Sequence, residues 1–537
     1  MISTRNLRGH APVIGVLCGV LVAALQVGCG DLDSSAADDE DPFEAALALA
    51  GSGPSCSGTG SLAPLRCARV PSAVSGDILD RAAAIRLGKA LFWDTQIGGD
   101  GQVACATCHF HGGADPRTIN SVNPGLDGVF GTPDDLIGSQ GVSRQLFVAL
   151  SPISMNGADV CAPEPGGAFG ASRQVTGRNA PSVIGAVFNR DNFWDGRGDH
   201  RFNGLDPFGA TGNAASQAIS LDQASLASQA VGPPGSGVEM SCAGRAFNGV
   251  NSLGDKLLLR AALQLQVVSP TDSVLGAASA APANGLLCGN RPCTYGALIA
   301  AAFQPALAAD AQNQFSRIFG QAVQAYEATL IPDQTPLDRY LGGNPSALTS
   351  AQVKGLGLFT SGKTGCTRCH AGPELSDATL GAYQNLGALN GDGGDQGFHN
   401  LGVRPTSEDP GRAGTGPLGV SFSVSQAPAD RGAFKTAQLR NVKLTGPYFH
   451  VGDKATLGDV VDFYARGGDF ANPEKAHRIQ PFSLQRDDRA ALVDSLTNGL
   501  TDCRVENEAG PFDHPSLVVP NGPSLPAVGS GGIAPCY

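Results

Sequence analysis

Two pentapeptides, CATCH at 105–109 and CTRCH at 366–370, constrain this chain more than any other feature. Cysteines three apart with a histidine beside the second match covalent attachment of haem c. The thiols add to the porphyrin vinyls and the adjacent histidine is placed against the iron. Zinc would ask for a second CxxC or an HxxxH a short distance along the chain, and neither pentapeptide has one nearby. Each pentapeptide follows a helical pattern and a glycine turn. Before the first, Leu79, Ala82, Ile85, Leu87 and Leu91 recur at helical spacing between Ile78 and Trp93; before the second stands LTSAQVKGLGLFTSGKTG.

The repeat predicts a mostly α chain, two cytochrome c-like haem domains with long irregular insertions. The expected boundaries are a signal peptide at 1–29, a disordered tether at 30–75, an N-terminal haem domain at 76–335, a C-terminal one at 336–505 and a tail at 506–537. Residues 112–172, rich in Gly, Pro, Asp and Asn, read as an irregular insertion. Helical patterning returns at Ala214–Ala230, at Phe315–Thr329 and in SLQRDDRAALVDSL, and few strands are expected. Arg5 and Arg8 precede a short apolar stretch ending in LQVGC, which reads as an export signal. Cys29 is a candidate lipid-attachment site, with ordinary signal cleavage as the alternative. The expected location is the periplasm or cell envelope, with membrane contact only through that N-terminal anchor.

Of 14 cysteines, eight lie outside the signal and the pentapeptides: Cys56, Cys67, Cys161, Cys242, Cys288, Cys293, Cys503 and Cys536. In an exported chain they suggest disulfides, and nearness in sequence favours 56–67, 161–242, 288–293 and 503–536. The net charge of −12 without a basic run argues against nucleic acid and suits a basic protein donor.

A low-spin haem usually takes Met or His as its second iron ligand. The chain has three methionines, Met1, Met155 and Met240, so none follows the second pentapeptide. For the second iron the candidates are His399, His450, His477, Tyr448 and Tyr464. For the first, His111 is too close to His109 to reach the far face, which leaves His200 or an open position.

Three segments, GRNAPSVIGAVFNRDNFWDGR (177–197), QAVGPPGSGVEM (229–240) and FKTAQLRNVKLTGPYFHVGDKATLGDVVDFYARGG (434–468), together with the pentapeptides resemble the bacterial di-haem cytochrome c peroxidase/MauG superfamily. The resemblance spans most of 76–505 outside the 112–172 insertion, a second insertion near 200–228 and part of 240–310. It implies two covalently bound haem c groups on Cys105, Cys108 and His109 and on Cys366, Cys369 and His370. Glu239 then matches the carboxylate that handles peroxide protons, preceded by Gln229 and Pro233, and Trp194 matches the residue between the haems. Asn179, Thr445 and Pro447 match an inter-haem calcium site. Tyr464 falls where MauG has a tyrosine ligand and the peroxidases a methionine. Arg178, Arg197 and Arg440 are candidate propionate partners. The histidine loop of many resting peroxidases has no match in 112–172, and Thr364 stands where MauG has a surface tryptophan.

The implied function is an exported cytochrome c peroxidase-like oxidoreductase. It would reduce hydrogen peroxide at the first haem with electrons from the second, supplied by a small cytochrome c or a cupredoxin. One alternative is a MauG-like oxidase acting on a substrate protein; another is a non-enzymatic di-haem electron carrier.

Overall fold

Asp80 starts the first long helix. Its side chain accepts the Ala83 N–H at 3.0 Å, and α1 then runs Arg81–Trp93. The computed structural model describes Cys56 and residues 62–71, 75–152, 157–212 and 219–536. The expected signal peptide, Cys29 and Met155 lie outside the described residues. The other helices that build the site are α2 (Ser225–Ala230), α3 (Phe315–Glu327), α4 (Ser350–Thr360), α5 (Leu457–Ala465) and α6 (Arg486–Asp494). Thr349 opens α4 with a capping box to Gln352, and Thr456 opens α5 with one to Asp459.

Each helix that precedes a pentapeptide crosses a later helix at a glycine. A Cβ on Gly88 of α1 would lie 1.9 Å from the carbonyl oxygen of Ala322 in α3, and one on Gly355 of α4 would lie 2.1 Å from that of Ala491 in α6. These contacts are closer than any side chain permits, so both glycines are dictated by packing. Around the first crossing Leu87, Leu91, Phe315, Phe319 and Tyr326 join one buried core, which extends to Ala227 and Ala230 of α2. Around the second, Leu356, Phe359, Val461 and Leu492 form another. Each large apolar side chain so buried contributes about 1.5–3 kcal/mol.

Strand content is higher and helix content lower than the sequence pattern suggests, so "mostly α" fits only loosely. Much of the chain is turn, as 73 glycines and 36 prolines require. The helix expected at 214–230 is confined to Ser225–Ala230 among the described residues. The 112–172 insertion forms short antiparallel ribbons, one of them between Val122–Asn123 and Leu136–Ile137. β1 (Gln140–Ser143) pairs with β4 (Arg173–Val175), and β2 (Gln145–Ala149) with β3 (Val160–Pro163), Phe147 opposite Cys161. A later ribbon joins β5 (Phe398–His399) to β6 (Phe434–Lys435).

Four disulfides close in the pairs favoured by nearness: 56–67, 161–242, 288–293 and 503–536. Two segments expected to be loose are packed. Leu62 enters the second core, and the Leu65 N–H donates to Asp338 at 2.8 Å. At the other end Phe512, Leu517 and Val519 enter the first core. There Asp513 and Asp272 flank the fully buried Lys89 of α1 at 3.1 and 2.9 Å, and His514 stacks on Trp93 at 4.7 Å. Among the described residues no helix is long and apolar enough to cross a membrane.

The α1–α3 crossing is directly testable. Gly88→Ala is expected to lower stability by about 1–3 kcal/mol or more through overpacking. Gly76→Ala, whose Cβ meets nothing within 4 Å, should leave the thermal unfolding midpoint unchanged.

Candidate functional site

A cavity of about 570 Å³ surrounds the first pentapeptide. Cys105, Cys108 and His109 line it together with Gln229 from the end of α2, Pro233 and Glu239. His109 Nδ1 lies 2.7 Å from the Gly113 carbonyl. A carbonyl only accepts, so Nδ1 carries the proton and Nε2 keeps its lone pair. Burial lowers the pKa of this imidazole, which keeps it neutral. Burial likewise pushes the Cys108 thiol up to about 12, against the pull of Arg117.

The second cavity, about 250 Å³, repeats the arrangement. Cys366, Cys369 and His370 line it, and His370 Nδ1 meets the Leu375 carbonyl at 3.1 Å. Among the described cysteines, the four of the pentapeptides are the free thiols. Each cavity therefore offers two thiols and an imidazole in one tautomer, the donor set that covalent haem c requires.

The structure sorts the candidates for the far ligands. Tyr464 on α5 lines the second cavity, where burial and the neighbouring Cys369 and Cys366 hold its phenol protonated. Tyr448 lines it too. His399 is engaged by Asp377 at 2.8 Å, and His477 is an exposed partner of Asp392. His200 lies away from the first cavity, bonded to Asp191 at 3.2 Å, and His111 is exposed. Met240 and His450 line the first cavity, Met240 as part of the core and His450 at its border with the second.

That border is a shared wall. Trp194 and His450 line both cavities, with ring centroids 6.3 Å apart, and Phe434 stacks on His450 at 3.6 Å. Asn179 ties the wall together. Its carbonyl accepts from Trp194 Nε1 at 2.8 Å, its N–H donates to the His450 carbonyl at 2.7 Å, and its Nδ2 donates to the Pro447 carbonyl at 3.0 Å. Asn179 and Pro447 are thus neighbours, and Thr445 lines the second cavity beside them. Phe193 and Phe449, the residues just before Trp194 and His450, hold φ of 61° and 64°. Left-handed backbone at bulky residues costs on the order of 1–3 kcal/mol each and persists only where the surroundings enforce it.

The insertion clamps the loop that bears Glu239. Val142 N–H donates to the Val238 carbonyl at 3.0 Å, and Gln174 Nε2 to that of Gly237 at 2.8 Å. The Cys161–Cys242 disulfide closes three residues beyond Glu239. Asp159 is buried between Arg245 at 2.6 Å and Lys256 at 2.9 Å, and Arg245 also donates to the Pro234 carbonyl at 2.9 Å. Asn123, Leu126 and Leu136 of the insertion complete the cavity wall.

The three arginines expected at propionates line the cavities, but each already holds a carboxylate. Arg178 grips Asp409 with two nitrogens and Asp195 with a third, Arg440 is buried on Asp338, and Arg197 meets Asp195 through one nitrogen at 3.0 Å. Burial raises the Glu239 carboxyl, and Arg197 and Ser236 pull it part of the way back. Two buried groups escaped the sequence reading. Lys435 lines the second cavity, its ammonium pushed down to about 8 by burial. Glu327, the last residue of α3, lines the first. Periodicity places both on inward faces but gives no sign of a missing counter-charge.

Residues 82–346 match the sequence model of the di-haem cytochrome c peroxidase family. Over these residues the chain belongs to this family. The match takes in the first pentapeptide, Trp194, Glu239 and Glu327 and ends before the second pentapeptide. Haem c is the cofactor that the family implies. Cytochrome-c peroxidase IdrP1 of Pseudomonas sp. strain SCT is 33% identical over 207 residues, 34% of this chain and 53% of that protein. The methylamine utilization protein MauG of Methylorubrum extorquens is 30% identical over 172 residues, 32% of this chain and 41% of that protein. The chain spans about half the length of the curated relatives it matches. The crystal structure of the diheme peroxidase BthA from Burkholderia thailandensis superimposes with a TM-score of 0.47 at 19% identity, covering 87% of this chain and 93% of that one.

The carboxylates near the shared wall set an acid limit on the fold. Burial opposes the charge on Asp195, but Arg178 and Arg197 overcome it and bring its pKa from 3.8 to about 2. The stability this contributes is fully present above about pH 4 and is lost as pH falls towards 2, roughly 2 kcal/mol in all. Urea titrations of wild type and Asp195→Asn should therefore show a stability difference that shrinks by about that amount between pH 5 and pH 2.

Proposed function

We propose that the chain is an exported di-haem c peroxidase. One haem is attached at Cys105 and Cys108 with His109 as iron ligand, the other at Cys366 and Cys369 with His370. When bound, the iron supplies a Lewis acid and a store of oxidising equivalents for cleavage of a peroxide. The observation that carries this reading is the meeting of the first pentapeptide with Glu239 in one cavity. Hydrogen peroxide there presents one oxygen that must lose a proton and one that must gain it to leave as water. Glu239 can do both in turn, because burial raises its carboxyl while Arg197 keeps the charged form accessible. Gln229 and Pro233 shape the cavity beside it.

Electrons enter from a small cytochrome c or a cupredoxin at the second centre and pass the Trp194 wall. Asn179, Thr445 and Pro447 offer hard oxygen atoms that suit calcium at this wall. Arg197, paired through one nitrogen, is the arginine best able to meet a propionate; Arg178 and Arg440 fix the surroundings. Residues 1–29 direct export to the periplasm or cell envelope, with Cys29 as a lipid-attachment site.

Tyr464 supports a second reading, a MauG-like oxidase that uses peroxide to modify a side chain of a partner protein. Its phenol faces the second cavity beside both thiols. Since burial holds it neutral, ligation requires a cation close enough to ionise it.

Two measurements test these readings. Glu239→Gln should lower kcat/KM for hydrogen peroxide by about 10²–10⁴-fold with a reduced cytochrome as donor; an unchanged value removes Glu239 from the mechanism. In electron paramagnetic resonance of the oxidised protein, Tyr464→Met should replace one low-spin signal and leave any high-spin signal in place. An identical low-spin spectrum would mean that another residue holds the second iron.

A further inference from the structure

Glu327 sits where a carboxylate is hardest to keep charged. It is 1% exposed at the end of α3, and its Oε2 has no hydrogen-bond partner. Nevertheless it lines the first cavity, and its charge is felt by the Cys105 thiol, as is that of Glu239. Two carboxyl groups thus share one cavity in unlike surroundings. Glu239 has Arg197 and Ser236; Glu327 has neither a cation nor a donor.

The elements packed around α3 supply none. On α1, Lys89 is taken up by Asp272 and Asp513, while Arg81 and Arg86 are exposed or half-exposed. The α2 segment SLASQA has no titratable side chain. Lys256, on the Leu253–Leu257 turn, is held by Asp159. The neighbouring Tyr326 hydroxyl is engaged with Trp93 Nε1 at 3.1 Å. Across the cavity, Arg178 and Arg197 are paired with Asp195. An unpartnered buried carboxylate costs several kcal/mol, so the group is neutral at pH 7. Burial alone pushes its pKa up to about 8.

We propose that Glu327 is the proton store of the first cavity, a neutral carboxylic acid that yields a proton to peroxide reduction while Glu239 shuttles another between the two oxygens. The proposal rests on the peroxidase reading. Reduction of one H₂O₂ breaks the O–O bond, consumes two electrons from the reduced cytochrome or cupredoxin and two protons, and yields two waters. Glu239 gives back the proton it takes and so adds none to this balance. Both protons must come from elsewhere, and Glu327 is the acid the cavity wall offers; it yields one and, recharged from water entering the cavity, relays the second. The pairing follows a general rule, in which two titratable groups driven apart by their surroundings serve as the base and the acid of one site.

The test uses the haem-loaded protein. Infrared difference spectra of wild type against Glu327→Gln at pH 7 should show the carbonyl stretch of a protonated carboxyl, lost in the variant. Wild-type kcat should fall as pH rises through about 8, because the active form is the protonated one. That alkaline limb should vanish in Glu327→Gln, with kcat at pH 7 about 10²-fold lower and KM for peroxide little changed. Glu327→Leu should unfold at the same temperature as wild type or higher, since it removes an unsatisfied buried group; a purely structural residue would give the reverse. A wild type without peroxide turnover sinks the peroxidase reading itself, whatever the infrared band shows. A wild type that turns over, with an unchanged band or an intact alkaline limb in Glu327→Gln, sinks the role of Glu327 alone.

Discussion

Asn179 bonds with its carbonyl, its N–H and its side-chain amide to Trp194, His450 and Pro447, and so fastens the 177–197 segment to the 445–450 segment. The two segments belong to different halves of the chain, so this one buried side chain and its backbone set how the two cavities face each other. The left-handed Phe193 and Phe449 fall just before the two rings that the cavities share. Strain of that kind survives only where neighbouring contacts leave no relaxed alternative. The wall is therefore a rigid spacer, which suits passage of electrons between two fixed centres.

On either side of that wall the chemistry differs. Both cavities have the same attachment set, two thiols and an imidazole pinned at Nδ1 by a carbonyl. Around it the first cavity gathers carboxyl groups, and the second a phenol and a buried lysine. The proposed function assigns proton handling to the first and tuning of the second iron to Tyr464. The difference arises entirely from the loops and helices brought against two similar pentapeptides. In the first cavity the decisive loop is held from outside: the insertion grips Val238 and Gly237, and the 161–242 disulfide and Asp159 anchor the grip.

Several features were legible before any coordinates. The helices before the pentapeptides, the helical pattern of α3 and the four short-range disulfides follow from local periodicity and nearness. Gln229, Pro233, Glu239, Trp194, Asn179 and Tyr464 were singled out through resemblance; the first three line the first cavity, Trp194 and Asn179 both, and Tyr464 the second. The insertion was read as irregular because Gly and Pro mask its short strands, whose pairing partners lie up to 35 residues away. The packed ends at 62–71 and 506–536 were missed for a related reason. Their apolar residues are too sparse to show a period, and they are buried one at a time against cores built elsewhere.

The sequence by itself determined the two pentapeptide donor sets, which helices precede them and which cysteines pair, because each depends on residues close together in the chain. Only the tertiary structure decided that the insertion serves the Glu239 loop, that His399 and His200 are spent on aspartates, that the expected propionate arginines already carry carboxylates, and that Glu327 is left without a partner. Those outcomes depend on which charges meet after the chain has closed, and the energy of a buried charge is set by its neighbours in space.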